Sequence, residues 1–219
     1  DSFSSWSALM GSSIIALEGV DNDHTILLRS LDIIAFSCYK FAMLRMNHAI
    51  ALIGFKACGK STIGKALAHC LDRQWTDTDQ DIEAYYYNQH HQHLSCKEIV
   101  RLFSIDYFKA LESIIFKQLN PTYKSIISTG GSSFLHTNNH RYLPEHCQVI
   151  YLKTDIHTLI QRWETHPPPW LVEDITHPLS QKAIDDRHQR YKELAYHTID
   201  TTDCNIETIC HHILRKITP

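Results

Sequence analysis

Continuous apolar runs alternate with helix-compatible stretches along the chain from Met46 onward. The run at 49–53 reads Ala-Ile-Ala-Leu-Ile and begins a predicted strand that extends to Phe55. A strand without polar positions is typical of a parallel sheet that is buried on both faces. Similar runs predict further core strands at 125–129 and 148–152.

Helix-compatible sequence separates these strands. Asn205 is placed to cap a last amphipathic helix. The apolar side of that helix carries Ile206, Ile209, Cys210, Ile213 and Leu214. The other predicted helices cover 60–71, 79–87, 97–119, 155–163 and 179–195. Strands that alternate with helices of this length predict an α/β fold in three layers, with a short parallel sheet flanked by helices.

The first part of the chain does not follow this alternation. It combines serine clusters with a short β-like run at 13–17. We therefore divide the chain into an N-terminal extension, 1–45, and a domain, 46–219. Two interpretations of the extension stay open. It is either an upstream segment that precedes a translation start at Met43 or Met46, or a genuine appendage of the domain.

The turn between the first predicted strand and its helix carries a phosphate-binding sequence. Residues 54–61 read Gly-Phe-Lys-Ala-Cys-Gly-Lys-Ser and fit the pattern G-x-x-x-x-G-K-[ST] in full. Glycines let the backbone curl so that N–H groups point at phosphate oxygens, and the helix start adds its positive end. Lys60 would reach the β- and γ-phosphates of ATP, and the Ser61 hydroxyl would bind Mg²⁺. The predicted nucleotide-binding residues here are Gly54, Lys56, Ala57, Cys58, Gly59, Lys60, Ser61 and Thr62.

Further motifs follow in an order that resembles the shikimate kinase family. Residues 77–83 read Asp-Thr-Asp-Gln-Asp-Ile-Glu, and they lie at the end of a further predicted strand that contains Trp75 and Thr76. The resemblance covers 46–218, which is the whole domain without its end. Its other motifs are Glu98 in Lys-Glu-Ile, Phe108 before a basic residue with Glu112 beyond, Ser128-Thr129-Gly130-Gly131, and Arg187-x-x-x-Tyr191.

This resemblance implies an ATP-dependent kinase that phosphorylates the 3-hydroxyl of shikimate in aromatic amino acid biosynthesis, with Mg²⁺ as cofactor. Asp77 would share the Mg²⁺ shell with Ser61. Asp79 would bind the shikimate hydroxyls and would act in catalysis together with Lys60.

The resemblance also implies the remaining binding residues. The backbone N–H groups of Gly130 and Gly131 would face the substrate. Arg187 would pair with the shikimate carboxylate, and Lys109 would stand where the family has a second arginine for it. Arg162 would lie over the adenine.

Each of these residues also has a purely structural interpretation. Asp77 and Asp79 could be turn formers or a helix N-cap. Arg187 could belong to a solvated, ion-paired helix face, and Arg162 could be a surface arginine. The pair Gly130-Gly131 could be a close-approach turn after a buried strand.

Three departures from the family pattern affect the acceptor side. Lys109 keeps the charge of the expected arginine but loses its two-pronged geometry. Ser132 replaces the last glycine of a triplet. The Pro-rich stretch 166–170 predicts a loop, and it holds no arginine where the family has one over the phosphates. Two alternatives therefore stay open: another P-loop small-molecule kinase, for example with a gluconate-type acceptor, or a catalytically silent nucleotide-binding relative.

Composition limits the classes of binding partner and the compartment that we expect. The formal net charge is -3 and 43% of the residues are hydrophobic, as in ordinary globular domains, so we expect no nucleic acid partner. The only long apolar stretch in the extension is interrupted by charges, so we expect no membrane span. The 7 cysteines form no C-x-x-C pair, which favours a reducing, cytoplasmic compartment. We expect a monomer whose partners are ATP and shikimate.

Overall fold

The strands form one parallel sheet. The computed structural model describes residues 48–217 apart from 123, 136–137, 144–146 and 166–180. The extension 1–45 and the Pro-rich stretch therefore lie outside the described residues. The strand order is β2-β3-β1-β4-β5 in a sheet of 5 strands. The strands are β1 (Ile50–Ile53), β2 (Gln74–Asp77), β3 (Ser125–Ser128), β4 (Gln148–Lys153) and β5 (His197–Asp200).

Strand β1 lies at the centre of this sheet. Ile50 is in register with Ile126 of β3 on one side and with Gln148 of β4 on the other. All residues of β1 are fully buried, as the apolar run predicts, because helices cover both faces of a parallel sheet. The carboxyl ends of β1, β2 and β3 are therefore neighbours along one edge, and candidate site residues follow each of them.

Helices connect the strands and flank the sheet. Helices α1 and α7 contact each other, α2 contacts α4, and α6 packs against β4. The predicted three-layer α/β fold is confirmed. The helices are α1 (Lys60–Leu71), α2 (Thr78–His90), α3 (Cys96–Leu102), α4 (Ile105–Gln118), α5 (Ile156–Thr165), α6 (Gln181–Leu194) and α7 (Ile206–Ile217), with a 3-10 turn at Asn138–Tyr142.

The single helix predicted over 97–119 is wrong, because the chain breaks between α3 and α4. The backbone at Ser104 is extended, and its side chain accepts a hydrogen bond from the N–H of Tyr107. A serine in this conformation caps a new helix more favourably than it continues an old one. The apolar periodicity runs through the break without a gap, so it conceals the boundary.

Other predicted boundaries shift by a few residues. The first strand ends at Ile53 rather than Phe55, because Gly54 has a φ of 144° and begins the loop. Strand β5 is not among the predicted strands. Only Ile199 of this strand is buried, so it offers little apolar pattern.

A glycine brings α1 close to the sheet. A Cβ on Gly64 would lie 2.5 Å from Ser128 Oγ and 2.6 Å from Trp75 Nε1. In the absence of that carbon, Trp75 donates to Ser128 at 3.0 Å, and Ser128 donates to the carbonyl oxygen of Lys60 at 3.0 Å. These contacts fix the first turn of α1 relative to β2 and β3, and that turn carries the candidate site.

Candidate active site

The loop between β1 and α1 has the backbone conformation that a phosphate cradle requires. Gly54, Ala57 and Gly59 have φ values of 144°, 66° and 99°. The carbonyl oxygen of Gly59 accepts the N–H of Ile63 at 2.8 Å and so begins α1. Positive φ at these positions turns the chain around a common centre at the N-terminus of a helix, which is the arrangement that binds anions.

Lys60 places its ammonium group inside this loop. The Nζ atom donates to the carbonyl oxygens of Gly54 at 2.9 Å and Phe55 at 2.7 Å. The residue is only 8% exposed. A buried ammonium held by carbonyl dipoles is oriented before any ligand binds, so it suits the neutralisation of phosphate charge.

Ser61 and Asp77 meet at the end of β2. The Ser61 hydroxyl donates to Oδ2 of Asp77 at 2.5 Å. The other carboxylate oxygen of Asp77 accepts the N–H of Asp79 at 3.0 Å and caps α2. Asp77 is therefore a helix N-cap, and it also lies beside Ser61. A hydroxyl and a carboxylate are hard oxygen ligands, so their juxtaposition fits Mg²⁺.

A second group of residues lies next to the loop and forms what we call the acceptor pocket: Asp79, Glu112, Gly130 and Gly131. A Cβ on Gly130 would lie 2.7 Å from Asp79 Oδ1 and 3.2 Å from Glu112 Oε1. The carboxyl groups of two helices therefore converge on one glycine of the loop after β3. This space exists only because residue 130 lacks a side chain.

The electrostatics of the two carboxyl groups are linked. Burial raises the pKa of Glu112 to about 7, and the nearby Asp79 adds to that increase. Glu112 is 2% exposed and accepts a hydrogen bond from the Ser133 hydroxyl at 2.5 Å. Burial also raises the pKa of Asp79, whereas the charge of Lys56 counteracts that increase. The pKa of Asp79 is therefore shifted toward neutral pH, as the pKa values of general bases often are.

The two glycines contribute in different ways. The N–H of Gly130 donates to Thr78 Oγ1 at 2.9 Å, so this amide already has a partner within the protein. Gly130 thus contributes space to the pocket, and the implied contact of its N–H with the substrate stays a prediction. A Cβ on Gly131 would lie 3.0 Å from the backbone nitrogen of Lys56, so the phosphate loop and this loop are in close contact.

Helix α6 reaches the acceptor pocket through Tyr191. The Tyr191 hydroxyl donates to the carbonyl oxygen of Gly131, and the side chain is 1% exposed. Arg187 lies one turn earlier on the same helix and is partly buried. Residues four apart lie on the same helix face, so Arg187 lies on the face of α6 that carries Tyr191.

Lys109 lies on α4 one turn before Glu112. Its ammonium group is 3.4 Å from Asp106 Oδ1 on the same helix. The Lys109 charge lowers the pKa of Glu112, but it is the smallest of the influences on that carboxyl group. The residue thus lies at the margin of the acceptor pocket and is paired with a largely exposed carboxylate.

Side chains of helix α5 donate hydrogen bonds to the backbone of the phosphate loop. Arg162 Nη1 donates to the carbonyl oxygen of Ala57 at 3.1 Å, and Trp163 Nε1 donates to that of Lys56 at 2.9 Å. Phe55 packs against Trp163 with ring centroids 6.2 Å apart. Arg162 therefore lies against the loop backbone. A position over the adenine stays a prediction.

Sequence reasoning gave no role to several of these residues. Glu112 and Tyr191 were part of the quoted motifs, and their buried contacts explain why both belong there. Ser133 follows the glycines, and Trp163 follows Arg162, but nothing in the sequence indicates their partners. A polar or aromatic residue beside a motif indicates a candidate site residue, but its hydrogen-bond partner depends on the fold.

The phosphate loop and the strand order define the class of P-loop kinases, and solved structures show the same fold. The shikimate kinase from Acinetobacter baumannii, solved in complex with shikimate, matches with a TM-score of 0.64 at 24% identity, over 81% of this chain and 96% of that chain. The shikimate kinase from Aquifex aeolicus matches with a TM-score of 0.59 at 21% identity, over 77% and 95%. At these identities the likeness shows the fold.

Sequence comparisons show the family. The family model described as Shikimate kinase matches residues 56–218. The shikimate kinase 2 of Enterobacter sp. (strain 638) is 30% identical over 170 residues, covering 76% of this chain and 94% of that protein. The shikimate kinase 2 of Yersinia enterocolitica is 30% identical over 161 residues, covering 72% and 88%. The chain belongs to the shikimate kinase family, and the resemblance in its motifs is confirmed.

Within the described ranges, no helix combines the length and the apolar character that a membrane crossing requires.

Proposed function

We propose that the protein transfers the γ-phosphoryl group of ATP to the 3-hydroxyl of shikimate. The observation that carries this proposal is the position of Asp79. Its carboxyl group lies 3.9 Å from Lys56 of the phosphate loop and beside Gly130 of the acceptor pocket. A base at that point touches both the donor side and the acceptor side, as in-line transfer requires.

Each residue has a defined part in this reaction. Asp79 accepts the proton of the attacking hydroxyl while the new phosphorus–oxygen bond forms. The bond between the γ-phosphorus and the bridging oxygen of ATP breaks, and ADP leaves. Lys60 neutralises the charge that develops on the phosphate oxygens. Ser61 and Asp77 would hold Mg²⁺, which would supply further charge neutralisation.

Arg187 and Lys109 are the proposed binding residues for the carboxylate of shikimate. The carboxylate of shikimate needs a cation, and Arg187 lies one turn before Tyr191, whose hydroxyl donates to Gly131 of the pocket. The shikimate kinase from Acinetobacter baumannii was solved in complex with shikimate, which supports shikimate as the acceptor.

One observation favours a second candidate, a different hydroxylated acid. Lys109 replaces a two-pronged arginine, and its ammonium is 3.4 Å from Asp106. A carboxylate held by fewer contacts would be bound less selectively. The second candidate is therefore a P-loop kinase with a gluconate-type acceptor.

A coupled assay of ADP release distinguishes the candidates. The purified protein is assayed with ATP, Mg²⁺ and either shikimate, quinate or gluconate. We expect turnover with shikimate, and turnover with gluconate alone would overturn the first proposal. Binding of ADP without turnover on any acceptor would identify a silent relative.

The assay is repeated with Lys60→Ala, which should abolish turnover because the ammonium group held inside the loop by Gly54 and Phe55 is lost. Lys65→Ala is the matched control on the same helix. Its ammonium lies 4.6 Å from the centre of the Trp75 ring and not in the loop, so turnover should persist. Turnover of Lys60→Ala at the wild-type rate would contradict the role of Lys60.

A further inference from the structure

Lys56 is in an unusual position for a residue in the variable part of a phosphate loop. Its backbone is held between two elements: the carbonyl oxygen accepts the indole N–H of Trp163 at 2.9 Å, and the nitrogen abuts Gly131. Its side chain extends toward the acceptor pocket, and Nζ lies 3.9 Å from Asp79 Oδ2. The ammonium therefore lies at the boundary between the donor side and the acceptor side.

We propose that Lys56 is a further catalytic residue, whose ammonium contacts the phosphoryl group as it passes from ATP to the acceptor. This proposal rests on the phosphoryl-transfer function proposed above. Two observations support it: the weakness of the ion pair and the position of Lys60.

First, the contact with Asp79 is too weak to explain Lys56 as a stabilising residue. The nitrogen–oxygen distance is 3.9 Å, and 46% of the Lys56 side chain is exposed. Ion pairs of this kind contribute little to stability, because water screens them and the side chain loses freedom. The ammonium thus retains the capacity to make a stronger contact with a phosphate oxygen that arrives beside it.

Second, the other lysine of the loop, Lys60, is held at a different place. Lys60 donates to the carbonyl oxygens of Gly54 and Phe55, at the start of the loop. Lys56 instead extends toward Asp79, the residue that receives the proton. A phosphoryl group between the two would have one cation on the donor side and one on the acceptor side, which matches the charge spread of the transition state.

The test compares Lys56→Met and Lys56→Arg with the wild-type protein, using the acceptor that the wild type phosphorylates. We expect Lys56→Met to lower kcat by roughly 100-fold, with KM for ATP and for the acceptor changed only a few-fold. Lys56→Arg should restore most of the loss, because it keeps the charge. An unchanged kcat for Lys56→Met would overturn the proposal.

The matched control is Lys153→Met. Lys153 lies 3.3 Å from Asp200 Oδ2 with 40% of its side chain exposed, so it resembles Lys56 in exposure and pairing. We expect its kcat to stay at the wild-type value. A similar loss of melting temperature and of kcat in both variants would show that lost charge pairs merely loosen the fold, and it would also overturn the proposal.

A binding measurement separates this proposal from the proposed function. ADP with aluminium fluoride and Mg²⁺ mimics the phosphoryl group in transfer and requires no turnover. We expect Lys56→Met to bind this mimic at least 10-fold more weakly than the wild type, with ADP binding unchanged. Equal binding of the mimic by both proteins would refute the role of Lys56, whichever acceptor the enzyme uses.

Discussion

The hydroxyl of Tyr191 donates a hydrogen bond to the carbonyl oxygen of Gly131, and so joins helix α6 to the loop after β3. Phe55 of the phosphate loop packs edge-on against the ring of Tyr191, with centroids 5.4 Å apart. Tyr151 of β4 stacks on its other side at 5.0 Å. One buried ring thus contacts the donor loop, the sheet and the acceptor pocket together.

Tyr191→Phe removes this hydrogen bond but keeps the ring. We expect a loss of about 1 kcal/mol in the free energy of unfolding, because a partly buried carbonyl group loses its partner. We also expect KM for the acceptor to rise more than KM for ATP, because Arg187 lies on the same helix face. Urea unfolding and steady-state kinetics measure both. Tyr196→Phe is the control, since Tyr196 is 66% exposed.

Gly130→Ala should damage the acceptor pocket selectively. The new Cβ would lie 2.5 Å from Ser133 Oγ and 2.7 Å from Asp79 Oδ1, so Asp79 has to move. Displacing a catalytic group by a fraction of an ångström to an ångström should lower kcat/KM for the acceptor by at least about 10-fold. Calorimetric titration should show unchanged ADP binding. Equal damage to ADP binding would contradict the assignment of Gly130 to the acceptor side.

Glu112 should make stability depend on pH. Burial raises its pKa from 4.5 to about 7, so the folded protein holds a proton that the unfolded chain has already lost between these values. The stability that this group contributes is therefore complete below about pH 4.5 and falls as pH rises toward 7, by at most about 3 kcal/mol.

Glu112→Gln cannot ionise, so its free energy of unfolding should fall less between pH 5 and 7. Urea unfolding at a series of pH values measures the difference. Glu207→Gln is the control, because Glu207 is exposed on α7 and should leave the wild-type dependence intact. Parallel curves for the wild type and Glu112→Gln would contradict the raised pKa.

Ala57→Gly should stabilise the protein. Ala57 has a φ of 66°, where a Cβ costs roughly 1–2 kcal/mol. Glycine removes this cost but adds freedom to the unfolded chain, so we expect a net gain of up to about 1 kcal/mol. Ala66→Gly, inside α1, should instead lose about 1 kcal/mol. Thermal unfolding of both variants checks the opposite signs, and a loss at both positions would refute the strain at Ala57.

The sequence predicts the donor side of the site better than the acceptor side, for a physical reason. The phosphate loop is one continuous segment, so its residue pattern alone defines its chemistry. The contact between Tyr191 and Gly131 joins residues far apart in the chain, and no local pattern encodes it. The helix break at Ser104 is hidden because apolar positions continue on both sides. Asp77 shows that a helix cap and a candidate metal ligand can be the same residue.

Phosphate loops bind their ligands largely through main-chain N–H groups, whereas the acceptor pocket of this protein is lined by the side chains of Asp79 and Glu112. Point mutations exchange side chains and leave amide groups in place. New acceptors are therefore within reach of single codon changes, while a new phosphate donor would require the turn itself to be rebuilt. A selection experiment that starts from this gene should accordingly diversify what is phosphorylated long before it alters the source of the phosphate.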